Sequence, residues 1–310
     1  MSRFGRKELF AFLFLSTIWS GNWLVIRIGL RDLPPLRFAG MRMVLACLLL
    51  LPLALRARLR PADREAGWIA VVGLLQLGIS YGCVYTAEQW IDSGLAALIF
   101  STFPIWVGIL GHFRLRDEPM TLKTAAAAVL GVSGVAVLQA PAIARAGSVD
   151  ARHLLIGTGL VITGAVASAV ASISVKKHLS AVSPPMSVFG QAVVAAVFLL
   201  SLSALFERGL PWRWTPPSIA ALAYLGIVGT MTFIGSQWLV ARVPVPVIGA
   251  FPLLSTVLAI TWGVAFGREG FSARTAAGAA LILTGVVLAV SAQAGRAGRP
   301  ATPPAPARTS

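Results

Sequence analysis

Ten apolar runs divide the chain, at 9–30, 35–55, 66–88, 93–113, 121–140, 154–175, 185–206, 218–240, 244–266 and 272–291. A helix needs about 20 apolar residues to cross the hydrocarbon core of a bilayer. Only helices and closed barrels satisfy every backbone polar group there. Runs of this length select the helix, so the expected fold is an all-α integral membrane protein of ten transmembrane helices. Breakers fill the short linkers, among them Pro34-Pro35, Pro61, Pro119, Pro184-Pro185, Pro216-Pro217 and Pro244. The runs leave a cytoplasmic N-terminus at 1–8, an external connecting loop at 141–153 and a Gly/Pro/Ala/Arg-rich tail at 292–310. That tail lacks apolar periodicity and is expected to be disordered and cytoplasmic.

The charge pattern agrees. Charged residues make up 12% of the chain, against about 25% in soluble domains. The net charge of +15 would suit a nucleic-acid surface. Its distribution argues otherwise, because Lys and Arg sit in short segments between apolar runs, with no recognition helix or zinc spacing beside them. Placing both termini in the cytoplasm puts sixteen of these residues inside and eight outside, with Arg27 and Arg42 inside spans. The excess follows the positive-inside bias and predicts a multi-pass protein of the plasma (inner) membrane. The N-terminal Arg3, Arg6 and Lys7 resemble a signal peptide, but the following apolar run is too long and lacks a clean cleavage pattern. Cys47 and Cys83 both fall in apolar runs and read as packing residues rather than a disulfide or metal ligands.

The sequence also matches itself after a shift of about 150 residues. Arg27 meets Lys177, Pro34-Pro35 meet Pro184-Pro185 and Gly40 meets Gly190. "LGI" at 77–79 meets 225–227, "QW" at 89–90 meets 237–238, and "FP" at 103–104 meets 251–252. Glu118 then meets Glu269, and Gly134 meets Gly285. Five spans per copy is an odd number, so the second copy must insert upside down. The expectation is two inverted five-helix repeats, 9–140 and 154–291, around a central cavity. Secondary transporters are commonly built in this way and bind substrate near the midplane, between the halves.

Several stretches carry a family resemblance. "TIWSGNWLVIRIGL" and "PPLRFAGMRMVLACLLL" resemble the first two spans of EamA-type ten-helix members of the drug/metabolite transporter superfamily. "AALIFSTFPIWVGIL" followed by Glu118 resembles the fourth, and "TAAGAALILTGVVLAV" the last. The resemblance implies transport of small organic solutes, often efflux, across the plasma membrane. One departure is that Pro252 precedes Glu269 by 17 residues, whereas Pro104 precedes Glu118 by 14.

Polar and aromatic residues within the runs are the candidate site. Trp19, Asn22, Trp23 and Ile26 share a helix face by i, i+3, i+4, i+7 spacing. They suit either a cavity wall or ordinary helix packing. Arg42 lies about seven residues into its span, where an unpaired charge costs several kcal/mol. It should face the interior, either in an ion pair or toward an anionic group. Gln76, Tyr81 and Gln237 add polar groups in spans three and eight, with Tyr85 four residues from Tyr81 reading more as an interface-belt aromatic. Glu88 is the carboxylate nearest the membrane and a candidate for proton coupling, or an exposed loop residue. Pro104 and Pro252 fall at matching places and read as a duplicated gating hinge or a packing bend. The small residues of span six, such as Gly157, Gly159, Gly164 and Ser168, predict close helix packing. Glu118 and Glu269 read as caps at helix starts.

The leading functional expectation is a secondary transporter, exporting a small organic metabolite, amino acid or drug-like solute. The alternatives are a membrane-embedded enzyme or a channel. Three scattered histidines and few intramembrane carboxylates do not suit catalysis, and there is no phosphate loop for ATP-driven pumping. The expected partners are a small-molecule substrate and the lipid bilayer, with no nucleic acid, cofactor or metal. A homodimer is left open.

Overall fold

A computed structural model of the chain describes residues 5–56, 63–91, 93–115, 120–138, 140, 143–144, 147, 150–266 and 272–297. Among these residues the regular structure is helical and contains no strand. The helices are α1 (Arg6–Trp19), α2 (Asn22–Gly29), α3 (Pro35–Arg56), α4 (Asp63–Gly73), α5 (Ser80–Ala87), α6 (Ser93–Phe100) and α7 (Phe103–Arg114). They continue with α8 (Leu122–Leu138), α9 (Ala151–His178), α10 (Pro184–Phe206), α11 (Pro216–Val240), α12 (Val245–Phe266) and α13 (Ala273–Ala297). A π-helical segment, Leu74–Ile79, joins α4 to α5. Among the described residues, seven stretches are long and apolar enough to cross a membrane, and Leu122–Leu138, Val245–Leu258 and Ala276–Ala289 are shorter apolar helices.

Local chemistry sets many of the helix starts. Proline lacks an N–H and holds a helical φ, so it fits the first turn, where that donor has no intrahelical partner. Pro35, Pro184 and Pro216 each open a helix. At α11 the Thr215 hydroxyl accepts from the Ser218 amide at 3.3 Å while the Thr215 amide donates to the Ser218 hydroxyl at 3.0 Å. At α9 the Asp150 carboxylate accepts from the Arg152 amide at 3.1 Å. This cap starts the helix at Ala151, inside the stretch expected to be loop. At the other end, α13 continues to Ala297, past the expected start of the disordered tail. Its added turn is rich in alanine, the strongest helix former. Residues 298–310, Glu118 and Glu269 lie outside the described residues.

Three of the expected continuous spans are interrupted. The first breaks at Ser20-Gly21, between α1 and α2, a Ser/Gly pair of the kind that commonly kinks helices. The third widens into the π segment. The fourth breaks at Ser101-Thr102, so Pro104 occupies the first turn of a new helix, α7. Pro252 lies inside the continuous α12. The two prolines are therefore not structural equivalents.

The most extensive packing joins early helices to late ones, α8 against α13 and α3 against α10. In the first pair backbones approach closely: a Cβ added at Gly134 would lie 2.7 Å from the Gly278 carbonyl oxygen and 2.8 Å from the Ile282 nitrogen. Of the small residues in α9, Gly164 lies against the Ser80 carbonyl and Gly157 against Ile91, while Gly159 meets nothing within 4 Å. Large apolar side chains such as Phe10, Phe14, Leu48, Val197 and Phe206 point outward, as lipid contact requires and water does not favour.

The α3–α10 pair carries a polar clamp. Glu207 follows the last residue of α10 and is 3% exposed. Its two carboxylate oxygens accept from the Leu36 and Arg37 amides at 2.8 and 2.9 Å. These amides belong to the first turn of α3, where donors lack helical partners and the dipole favours negative charge. Beside it, the Arg213 amide donates to the Asp32 carbonyl at 3.0 Å and the Thr215 hydroxyl to the Asp32 carboxylate.

Two outcomes follow from this packing. Gly134→Val forces α8 and α13 apart and lowers the thermal midpoint in detergent by the equivalent of about 1–3 kcal/mol, the usual cost of overpacking. Glu207→Ala removes two charge-assisted bonds and lowers the same midpoint by the equivalent of about 2–4 kcal/mol, with Glu207→Gln falling between it and the unmodified chain. Equal midpoints for the Ala variant and the unmodified protein would show that the clamp contributes nothing.

Candidate functional site

The interruptions converge on two adjoining cavities. The larger encloses about 920 Å³, counted out to its open mouth, and reaches the ends of α9 and α11 near Val175 and Val240. The smaller encloses about 480 Å³ on the same basis and reaches Arg42, Tyr81 and Tyr85. Five residues line both: Trp19, Trp23, Gln76, Phe100 and Ser168. Each of the three interruptions contributes to this shared wall. Trp19 ends α1, Trp23 lies in the first turn of α2, Gln76 lies in the π segment, and Phe100 ends α6.

The helix face proposed for Trp19, Asn22, Trp23 and Ile26 survives the break at Ser20-Gly21, since all four line the smaller cavity. Rings from elsewhere close around the tryptophans. Trp19 meets Phe251 edge to face at 5.4 Å between centroids, and Trp23 meets Phe100 at 5.9 Å. Such offset contacts are the favoured aromatic geometry. Asn22 is 5% exposed, and its Oδ1 has no hydrogen-bond partner among the described residues.

Arg42 faces the interior, at 4% exposure. Its Nη1 donates to the Tyr85 hydroxyl at 2.9 Å, and its guanidinium carbon lies 4.8 Å from the Tyr81 ring centroid. No carboxylate among the described residues forms an ion pair with it. The guanidinium packs against α11 at Gly229, where an added Cβ would come within 2.6 Å of Nη2. Tyr85 is almost wholly buried, stacked on Tyr81 and packed against Phe38. The interface-belt reading of this residue is therefore corrected: its hydroxyl is held by Arg42 inside the bundle.

Two hydrogen-bond networks frame the walls. Gln76 donates to the Ser168 hydroxyl at 3.1 Å, and Ser168 and Ser80 share a bond at 2.8 Å. Gln237, which lines the larger cavity, donates to Gln191 at 3.0 Å, and Gln191 donates to Ser187 at 2.8 Å. Pro252 and Phe251 line the larger cavity, whereas Pro104 does not. Glu88 caps the C-terminal end of α5 and lines neither cavity. Both its carboxylate oxygens are buried without a hydrogen-bond partner among the described residues, and the charge of Arg27 acts on it.

The structure thus brings Trp19, Asn22, Trp23, Arg42, Gln76 and Tyr81 to one cavity and Gln237 to its neighbour. Sequence reasoning passed over Phe100, Phe251 and Gln191, and read Ser168 as helix packing and Tyr85 more as an interface-belt aromatic. The available signal for Ser168 was its i, i+4 spacing to Gly164 and Ser172, which reads as packing. Phe100 and Phe251 had none, because a phenylalanine in an apolar run looks the same whether it faces lipid or a cavity. Chemically the walls offer one fixed cation, amides, hydroxyls and flat rings. They can bind and orient an amphipathic solute. Among the described residues no group of three or more His, Cys, Asp or Glu is placed to hold a metal ion.

Comparison with known proteins is consistent across methods of likeness. The EamA-like transporter family model matches the chain twice, over residues 6–139 and 155–291. The Bacillus subtilis uncharacterized transporter YoaV is 25% identical over 288 residues, covering 91% of this chain and 96% of YoaV. The Escherichia coli uncharacterized inner membrane transporter YedA is 28% identical over 272 residues, 85% of this chain and 84% of YedA. A solved crystal structure shares the fold at a TM-score of 0.75 and 21% identity, covering 95% of this chain and all of that one. With helices apolar enough to span a bilayer and a family match over nearly all its length, this chain belongs to the EamA-like transporter family.

Proposed function

We propose that the protein is a secondary transporter that exports a small organic metabolite, amino acid or drug-like solute across the plasma membrane by alternating access. The observation that carries this reading is the pair of cavities joined through Trp19, Trp23, Gln76, Phe100 and Ser168. The larger cavity is lined from early and late parts of the chain, as expected if two inverted five-helix repeats meet there, while the smaller is lined by early residues and Ser168. The two family matches fall on the same two parts. Both termini lie in the cytoplasm in this reading, supported by the distribution of basic residues.

Alternating access needs elements that change shape at low cost. A helix break has already given up part of its hydrogen-bond ladder, so bending there sacrifices less than bending an intact helix. Breaks at Ser20-Gly21 and Ser101-Thr102 and the π segment at Leu74–Ile79 supply three such points beside the cavities. The contacts of Trp19 with Phe251 and Trp23 with Phe100 cross the junction and serve as its aromatic gate. Pro252, on the larger cavity, is the proposed hinge of α12, while Pro104 acts through the break that precedes it.

Glu88 is the proposed site of proton coupling. A carboxyl group couples proton movement to transport when one conformation strips its solvation and another restores it. Both Glu88 oxygens are buried and unpartnered in this conformation.

The direct test compares solutes in the medium of cells producing the unmodified chain, the Gln76→Ala variant, or neither. One solute class accumulates outside with the unmodified chain, and Gln76→Ala at equal membrane level lowers its rate by about tenfold, the effect of losing one or two hydrogen bonds in a closed site. Unchanged media in all three cultures would argue against export. With that solute loaded into vesicles, an imposed proton gradient accelerates efflux by the unmodified chain and leaves Glu88→Gln unaffected. An equal response of the two proteins removes Glu88 from the coupling.

A further inference from the structure

We infer that the smaller cavity is a receptor for an organic monoanion with a flat apolar body, its anionic group on Arg42 and its body against the Trp19, Trp23 and Phe100 rings. As a statement about substrate, this rests on the transporter reading above.

The argument begins with an unbalanced charge. Arginine stays protonated in proteins and offers five N–H donors. Arg42 is 4% exposed, donates to the Tyr85 hydroxyl and lies over the Tyr81 ring, so the groups that hold it are two uncharged tyrosines. A buried cation at membrane depth without a counter-charge costs several kcal/mol. Tyr85 and Tyr81 hold the guanidinium in place and offset part of that cost. Neither cancels the charge, and neither uses the remaining donors. An anionic group entering the cavity does both, and a planar guanidinium matches a carboxylate through two parallel bonds.

The rest of the wall narrows the ligand. The rings of Trp19, Trp23 and Phe100 line the cavity, and an aromatic wall favours a flat or aromatic body over a sugar-like one. Asn22, on the same wall, carries a buried acceptor, Oδ1, without a hydrogen-bond partner among the described residues. Arg42 is the charged side chain in this lining, and one guanidinium balances one negative charge, so the cavity favours one negative charge over two. Gly229 completes the arrangement, since a Cβ there would lie 2.6 Å from Nη2 and displace the guanidinium from its seat on α11.

Three probes of one shape and different charge decide the matter: phenylpropanoate, phenylpropanamide and phenylpropylamine. Each is titrated calorimetrically into the purified full chain in detergent at neutral pH. The anion binds at least about tenfold more tightly than the amide, in line with a hydrogen bond to a charged group, and the amine binds most weakly. Arg42→Gln brings anion and amide to equal affinity, and Gly229→Ala weakens the anion while sparing the amide. Because Arg42→Gln removes a buried group and can misfold, the order of the three probes on the unmodified chain is decisive by itself. Equal affinity for anion and amide, or binding of none of the three, overturns the inference. Counterflow of the metabolites exported by cells, measured in proteoliposomes of the same preparation, separates the two claims. Flux without the charge order sinks only this inference, and the charge order without flux sinks only the transporter reading.

Discussion

In the core of a bilayer no water is present to take up a hydrogen bond, so every backbone amide and carbonyl must find a partner inside the protein. That constraint organises this chain. Its lipid-facing stretches are helical, and departures from the helix occur where protein or cavity surrounds the backbone. The break at Ser20-Gly21 lies between two tryptophans on the cavity wall, and the break at Ser101-Thr102 follows Phe100 on the same wall. Side chains help to repair the gaps. The Ser20 hydroxyl donates to the Thr17 carbonyl, Ser101 to Ala97 and Thr102 to Ile99. Trp106 in turn donates its indole N–H to the Thr102 hydroxyl, tying the break to the new helix.

The same rule governs the buried side chains. Gln191 is fully buried, and it bonds both Gln237 and Ser187. Glu207 would be a costly charge at the end of α10 but for the two amides of α3 that it receives. Among the described residues, two of the exceptions, Arg42 and Asn22, line the smaller cavity, whereas Glu88 and the Ser16 hydroxyl line neither cavity. Arg42 has partners without a counter-charge, Asn22 Oδ1 has none, and Glu88 has buried oxygens without hydrogen bonds. Buried polar groups are normally satisfied. A wall with an unbalanced charge, as at Arg42, keeps donors available for a partner, whereas a fully satisfied wall has none to offer.

Much of this was legible in the sequence, for a physical reason. A polar or charged residue in an apolar run contradicts its surroundings, and Arg42, Asn22 and Gln76 stand out on that ground alone. All three line the smaller cavity. Tryptophans at helical spacing from Asn22 came with it. The helix breaks were not legible, because Ser and Thr in a membrane helix can bond back to a carbonyl without interrupting it. Nothing in the residue types separates Ser101, at a break, from Ser255, which bonds back to Phe251 within the continuous α12. Glu207 was passed over for a different reason. Its partners are 170 and 171 residues away, and a loop carboxylate carries no local sign that it will meet a distant helix end. Tyr85 was misplaced because tyrosine suits both an interface and a buried hydrogen bond, and only the position of Arg42 distinguishes them.

The self-match at a shift of about 150 residues has a structural counterpart that is only partial. Early stretches around the cavities are interrupted, at Ser20-Gly21, Leu74–Ile79 and Ser101-Thr102. Later stretches at the shifted positions, α9, α11 and α12, run through without a break. The "FP" pair shows the difference in one place. Pro104 sits in the first turn of a helix, where its missing N–H costs nothing. Pro252 sits within α12, where a carbonyl one turn earlier loses its usual donor, and it faces the larger cavity. The matched stretches thus form jointed helices early in the chain and continuous ones late. Continuous helices resist bending along their length, while a joint concentrates bending at one place. Any rearrangement of the cavity is therefore cheapest in the early part of the chain, around the wall that holds Trp19, Trp23, Gln76 and Phe100. Arg42 is anchored differently, on the unbroken α3 and against the unbroken α11 at Gly229. The fixed charge is mounted on rigid elements, and the flexible joints carry the rings beside it.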